Sequence, residues 1–389
     1  MSTIKLLRYS GDIRKQKLLI PVKNKNDLLT LFSQFSKVKK INTLVNTIER
    51  FEQIFKINFY NTLLTFILKW ATEYDIDSLD AMEQGSISNK VFTAKEARYW
   101  LANAFIMNTD RCHKPKYGEL NFVELYNGSI VGQEKLLCIL NYFYMATKLD
   151  EDRPIGFFRC SVLENPKKLF NSDKKVNTDL VIIHTNDMES VKADAIVNFA
   201  NEQLSYGLIN SCTQEEILNV CTPESYISLL FCEAMRDNEV IVVRGCRRFS
   251  TYSGYLNSFK FTGQYNDTLF QDQIGLDACT WAHFSEENVN RDIMKAYTGF
   301  EMVTSDAQLT IISTGMWGCG AFGGDPIHKF LQQLLVVSVI PYLELYYSTY
   351  KNTEMANKLN NVVNYINKNN ITIKELYEEL ADGGKFGIK

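Results

Sequence analysis

The run Gln214-Glu215-Glu216 sets two carboxylates side by side, directly after a polar, glycine-containing stretch. Carboxylates there could exchange protons with a ligand bound in front of a helix. They also have a purely structural reading. Thr213-x-x-Glu216 is a capping box: the threonine hydroxyl accepts from the amide of the third helical residue, and the glutamate reaches back to the amide of Thr213. The same signature occurs at Thr93-x-x-Glu96, before "ARYWLANAF", where nothing else suggests a site. Local pattern alone favours the cap.

A second stretch carries a sharper signal. "GMWGCGAFGGDP" holds Gly315, Gly318, Gly320, Gly323 and Gly324 between an expected strand and an expected helix. Glycine lets backbone amides approach a ligand closely. Successive amides leading into a helix N-terminus form a concave site for a phosphate or diphosphate. The run is neither a Walker A motif nor a G-x-G-x-x-G fingerprint, and five glycines are more than one tight turn requires.

These stretches need elements to hold them. Residues 26–150 repeat apolar side chains at three- and four-residue spacing in "DLLTLFSQF", "LVNTIERFEQIF", "YNTLLTFILKWATEY", "TAKEARYWLANAFIM" and "GQEKLLCILNYFYMATKL", which predicts helices. Trp70 and Trp100 read as packing residues. Near "RPIGFFRCSV" the pattern changes. "DLVIIHT", "AIVNFAN", "EVIVVRG" and "LTIISTG" read as buried strands, and "QEEILNV", "PESYISLLFCEAM", "NRDIMKAYTGF" and "PIHKFLQQLLVVSVIPYLELYY" as helices between them. Such alternation predicts an α/β layer with a mixed or mostly parallel sheet. Ligands of such sheets lie beyond the carboxyl ends of the strands, where both chemical stretches fall. The division expected is a helical accessory region over residues 1–150 and an α/β domain over 151–389.

Composition narrows the class. The chain has 389 residues, is 46% hydrophobic and carries a net charge of -3, so no global basic field drives nonspecific nucleic-acid binding. The run Lys37-Val38-Lys39-Lys40 reads as a solvated helix face. Nine scattered cysteines without C-x-x-C spacing suit a reduced, intracellular protein, cytoplasmic or nuclear. Only Cys112-His113 joins a histidine to a cysteine, so neither a metal nor another cofactor is expected. The apolar runs are shorter than the roughly 20 residues of a membrane helix; no membrane association is expected.

The ordered set "YWLANAFIM", "VNFANEQLSYG", "QEEI", "YSGY", "KAYTGF" and "WGCGAFGGD" resembles the poly(ADP-ribose) glycohydrolase family over roughly residues 90–355. The resemblance implies a macrodomain-like mixed sheet flanked by helices with an N-terminal all-helical accessory layer. It implies hydrolysis of ribose–ribose O-glycosidic bonds in poly(ADP-ribose). The family's glutamate pair falls on Glu215 and Glu216, after Gln214. Its asparagine falls on Asn201, the tyrosine that lies against adenine on Tyr255, and a phenylalanine near the ribose on Tyr350. The glycine-rich loop maps to Gly318, Cys319, Gly320, Ala321, Phe322 and Gly323, with Met316 in place of an asparagine. Two positions depart. The family's triglycine falls on Ser205, Tyr206 and Gly207, and its aspartate on Asn198.

Adjacent helical residues point about 100° apart, so Glu215 and Glu216 cannot flank one bond as most glycosidase carboxylates do. The expectation is that Glu216 is the general acid and then base, while Glu215 binds ribose hydroxyls and stabilises the oxocarbenium-like transition state. Desolvation and mutual repulsion must then outweigh the helix end, which favours ionised carboxylates. The partners implied are poly(ADP-ribose) and ADP-ribosylated proteins, with no direct nucleic-acid contact, and a monomer is expected. The altered triglycine and Asn198 keep open an alternative, a macrodomain that binds ADP-ribose and turns over slowly or not at all. A scaffold with an occluded pocket is a further class, which the intact glutamates and glycine-rich loop disfavour.

Overall fold

The computed structural model describes residues 2–110, 118–149, 152–161, 165–205, 212–304 and 308–384. The first part holds helices α1 (Gly11–Lys17), α2 (Lys25–Ser33), α3 (Asn42–Phe55), α4 (Leu64–Trp70), α5 (Ala94–Phe105), α6 (Val123–Tyr126) and α7 (Ile130–Ala146). The five helices expected from periodicity are all there. Three short strands that periodicity does not announce run among them: β1 (Thr3–Lys5), β2 (Ser78–Asp80) and β3 (Ser88–Thr93). Residues 37–40 lie in no helix, because the chain between α2 and α3 is irregular.

The second part contains β4 (Pro154–Ser161), α8 (Pro166–Leu169), β5 (Val181–His184), β6 (Ala195–Phe199), α9 (Gln214–Cys221), α10 (Ser228–Phe231) and β7 (Glu239–Arg247). It continues through β8 (Ser250–Ser253), β9 (Lys260–Gln264), β10 (Phe270–Leu276), α11 (Glu286–Val303), β11 (Thr310–Gly315), α12 (Pro326–Val337), β12 (Leu343–Ser348), α13 (Thr353–Asn369) and α14 (Ile373–Ala381). One sheet of eight strands organises the molecule, in the order β3-β4-β7-β10-β6-β11-β12-β5. From β10 to β5 every pairing is parallel, while β3, β4 and β7 extend the sheet antiparallel. It is the mixed sheet the sequence predicts.

Two further expectations change. Residues 343–347, expected to continue a helix, belong to β12 (Leu343–Ser348). The helix stops at Val337, a turn containing Pro341 follows, and the strand lies parallel to β11 with Leu343, Leu345 and Tyr347 buried. The stretch 223–235 is not one helix but a 3-10 turn followed by the single turn α10. The core lies in two main clusters. One joins the helical layer to Ile155, Phe157, Ile241 and Val243 of the sheet, with Trp70 and Trp100 buried in it as expected. The other packs α11, α12, α13 and α14 against the sheet. No helix among the described residues is long and apolar enough to cross a membrane.

Candidate active site

Because β6, β11, β12 and β5 run parallel, the segments that follow them gather at one edge of the sheet. α9 starts there. Thr213 precedes it in extended conformation, and the Glu216 carboxylate accepts from the Thr213 amide at 2.7 Å and from its hydroxyl, both through Oε2. Among the described residues no hydrogen bond reaches the other oxygen, Oε1. Glu215 is held differently. Its Oε1 accepts from the Ser205 amide at 2.8 Å, and its Oε2 from the amide and side chain of Asn201 at 3.1 and 3.2 Å. Gln214 accepts from the Phe199 amide at 2.9 Å and donates to the Val197 carbonyl at 3.1 Å. It therefore clamps α9 to β6. Ser205 keeps φ of 64°, in the left-handed region that suits glycine. Tyr206 and Gly207 lie outside the described residues.

Both glutamates are buried, and the consequence is electrostatic. Loss of water, and then the charge of Glu216, push the Glu215 carboxyl up to about 8; the N–H donors of Ser205 and Asn201 act the other way and are outweighed. The adjacent pair therefore keeps a proton through neutral pH despite the helix end. A carboxyl raised in the folded state stabilises that state fully below about pH 4.5, and the contribution is lost as pH rises to about 8. Urea midpoints between pH 5 and 9 should thus fall with pH for the unmutated chain and stay flatter for Glu215→Gln. Parallel profiles would mean that Glu215 is ionised throughout.

The glycine-rich loop leaves β11 beside this pair. Trp317 donates from Nε1 to the Leu276 carbonyl at 2.9 Å, and the same carbonyl accepts from the Ala200 amide at 3.1 Å. One acceptor at the end of β10 thus ties the loop after β6 to the loop after β11. The amides of Trp317, Cys319, Gly323 and Gly324 are engaged in turns within the loop. Those of Gly318, Gly320, Ala321 and Phe322 have no hydrogen-bond partner among the described residues. Gly318 and Gly323 have φ near +73°, and a Cβ at Gly318 would meet Ala278 at 2.6 Å. Burial pushes the Cys319 thiol up to about 12, so it stays protonated.

Beneath the loop lies an ion-pair network that the sequence reading missed. The Lys329 ammonium is paired with Asp292 and sits 4.7 Å from the centre of the Trp317 ring. Arg291 bridges Asp292 and Asp237, both at 2.7 Å, and pairs with Asp277, which also holds Lys295.

The two aromatic candidates lie together at this edge. Tyr255 and Tyr350 have ring centres 5.7 Å apart at 49° and are each 37% exposed. The Leu256 amide donates to the Cys212 carbonyl at 2.9 Å, fixing the Tyr255 loop beside the start of α9. Tyr350 follows β12, and burial, then the carboxylates of Asp187 and Glu189, raise its hydroxyl. Nothing in "NDMES", the segment after β5, distinguishes those two acidic residues from a solvated turn. Asn198 is buried with its Oδ1 unpartnered, on the strand that leads into this edge. From the helical layer, buried Lys135 of α7 lies within the field of Glu216. Among the described residues no three His, Cys, Asp or Glu side chains gather as a metal site.

Two family models match the chain. One, described as poly(ADP-ribose) glycohydrolase, helical domain, matches residues 51–161; the other, poly(ADP-ribose) glycohydrolase, Macro domain fold, matches 167–357. Together they take in 302 of the 389 residues. Among curated relatives, poly(ADP-ribose) glycohydrolase 1 of Caenorhabditis elegans is 27% identical over 287 residues, covering 66% of this chain and 37% of the relative. Poly(ADP-ribose) glycohydrolase 2 of the same organism is 27% identical over 323 residues, covering 75% and 64%. The chain thus spans less than two thirds of either relative's length. A solved poly(ADP-ribose) glycohydrolase from Deinococcus radiodurans, in complex with ADP-ribose, is 14% identical with a TM-score of 0.33, covering 55% of this chain and 95% of that one. A likeness that slight carries nothing for the site.

Proposed function

Because this chain belongs to the poly(ADP-ribose) glycohydrolase family, we propose that it hydrolyses ribose–ribose O-glycosidic bonds in poly(ADP-ribose) and releases ADP-ribose. The observation that carries the reading is the unequal treatment of the two glutamates. Both oxygens of Glu215 are occupied by the loop after β6, whereas Glu216 commits only Oε2 to its cap and leaves Oε1 open. A catalytic acid needs an oxygen free to meet the leaving group. Glu216 donates its proton to the departing ribose oxygen as the bond to the anomeric carbon breaks. It then takes a proton from water as that water adds to the carbon, which restores the acid. The single proton that the pair keeps must stand on Glu216 when the bond breaks; Glu215, fixed through Asn201, then orients the ribose and supplies the negative charge that meets the oxocarbenium-like centre.

The remaining residues bind. Free amides at Gly318, Gly320, Ala321 and Phe322 take the diphosphate, Tyr255 takes the adenine, and Tyr350 beside it lies toward the ribose. The unpartnered amide oxygen of Asn198 is available to a ribose hydroxyl. Asp187 and Glu189, beside Tyr350, offer carboxylates to the amine of the base. The left-handed Ser205 favours turnover over the binding-only alternative, since the loop keeps a glycine-like course with serine in place.

Incubating the protein with auto-modified poly(ADP-ribose) and assaying free ADP-ribose tests the activity. Binding without release would move the chain to the binding-only class. Base–aromatic stacking contributes about 1–3 kcal/mol, so Tyr255→Ala should weaken ADP-ribose binding roughly 5- to 150-fold by calorimetry. Unchanged affinity would mean that adenine lies elsewhere.

A further inference from the structure

The charges of this chain are segregated. Residues 1–60 contain twelve Lys and Arg against four Asp and Glu, a formal +8 where the whole chain has -3, so residues 61–389 carry -11. Four of these lysines form a ridge. Between α2 and α3, Val38 and Ile41 pack inward, while Lys37, Lys39 and Lys40 are exposed. The segment returns to the start of α2, where the exposed Lys25 donates to Asn42 Oδ1 at 3.4 Å, two residues beyond Lys40. α2 has nine residues, about 13 Å, so the ridge is longer than a site for one phosphate. None of the four lysines forms an ion pair with a carboxylate among the described residues. The nearby Asp27 carboxylate is occupied by the Lys23 amide and the Asn24 side chain, both at 2.9 Å.

The ridge is tied to the catalytic end of the molecule. The Thr43 hydroxyl, next to Asn42, donates to the Gly128 carbonyl at 2.9 Å, just before α7. Arg50 of α3 pairs with Glu134 of α7. The next residue, Lys135, feels Glu216 and lies only about 10 Å along the axis from Gly128. We propose that the ridge of Lys25, Lys37, Lys39 and Lys40 binds the phosphates of the poly(ADP-ribose) chain that extends from the terminal unit held in the site. The inference rests on the glycohydrolase reading. A repeating polyanion matches a row of unpaired cations, whereas free ADP-ribose has no further diphosphate to reach it.

The test replaces all four lysines by glutamine and compares long polymer with ADP-ribose. Binding is measured in the Glu216→Gln background, where polymer is expected to survive, at 50 and 200 mM salt; thermal melts check the fold. Three or four phosphate contacts give a slope of about -2 to -3 on logarithmic axes, so polymer affinity should fall roughly 20- to 60-fold between the two salts when the ridge is present. The quadruple variant should lose most of that dependence and bind polymer more weakly at 50 mM, with ADP-ribose affinity unchanged. Polymer affinity and salt slope retained in the variant would overturn the proposal. So would tighter binding of single-stranded DNA of matched charge, which would make the ridge a nucleic-acid surface. Hydrolysis by the unmutated chain reports the activity separately: no release, with polymer binding still sensitive to the ridge, sinks the activity and leaves the ridge standing.

Discussion

A Glu216→Gln protein should release ADP-ribose from polymer about 10²- to 10⁴-fold more slowly than the unmutated chain while melting at nearly the same temperature. The two halves of that result come from different atoms. The cap uses Oε2, which accepts from the amide and hydroxyl of Thr213. Glutamine keeps an oxygen of the same reach and serves at this position of a capping box. What it lacks is a proton it can give and take back. A purely structural glutamate would therefore tolerate the change, whereas the acid of the reaction would not. ADP-ribose binding is measured alongside, because the reading requires the variant to bind normally. Full activity in a folded Glu216→Gln protein would return the residue to the cap alone. A rate loss accompanied by a lower melting temperature would mean that the amide disturbs α9, and Glu216→Asp, which keeps the acid but shortens its reach, would then have to separate position from chemistry.

How legible such a residue is depends on whether its role is local. The cap at Thr213 and the turn chemistry of the glycine-rich loop are written in neighbouring residues, and both stretches lie at the strand ends where sequence puts them. The buried strands β6, β7 and β11 are continuous β-branched or apolar runs and read correctly. β10, with Gln271, Asp272 and Gln273 in its middle, looks like a polar connection, yet it is a central strand. Its polar groups have distant partners: the Gln271 side chain donates to the Ala193 carbonyl and that of Gln273 to the Thr222 hydroxyl. β12 was hidden for another reason. Its Leu-Tyr alternation follows α12 so closely that helical spacing can be carried through it. Lys25 and Lys40 are brought together by a fold-back that no periodicity encodes. The shared carbonyl of Leu276, which joins two loops through Ala200 and Trp317, is equally invisible, since any residue type supplies a carbonyl.

Lys329→Met should be the most damaging single change to stability at the site, about 3–5 kcal/mol, because it leaves a charge buried without its closest partner. Asp292 is fully buried. Burial alone would raise its carboxyl, but the Lys329 ammonium and then Arg291 outweigh that and hold it below the usual range. Arg291, at 2.7 Å, remains in the variant and puts the expected loss toward the lower end. The carbon stem of Lys329 also underlies the loop proposed to hold the diphosphate. Its Cε stands 3.4 and 3.2 Å from where side chains would begin at Gly318 and Gly324. Methionine restores most of that volume, so the deficit should report the charge. Adding Asp292→Asn removes the stranded carboxylate and should recover much of the stability, whereas additive losses would point to packing alone. The pH dependence has a definite sign. A depressed carboxyl contributes stability above its unfolded value near 3.8 and loses it on acidification, so the gap between the unmutated chain and Lys329→Met should narrow as pH falls toward 3. A gap that stays constant in denaturant titrations across that range would exclude the ion pair as the cause.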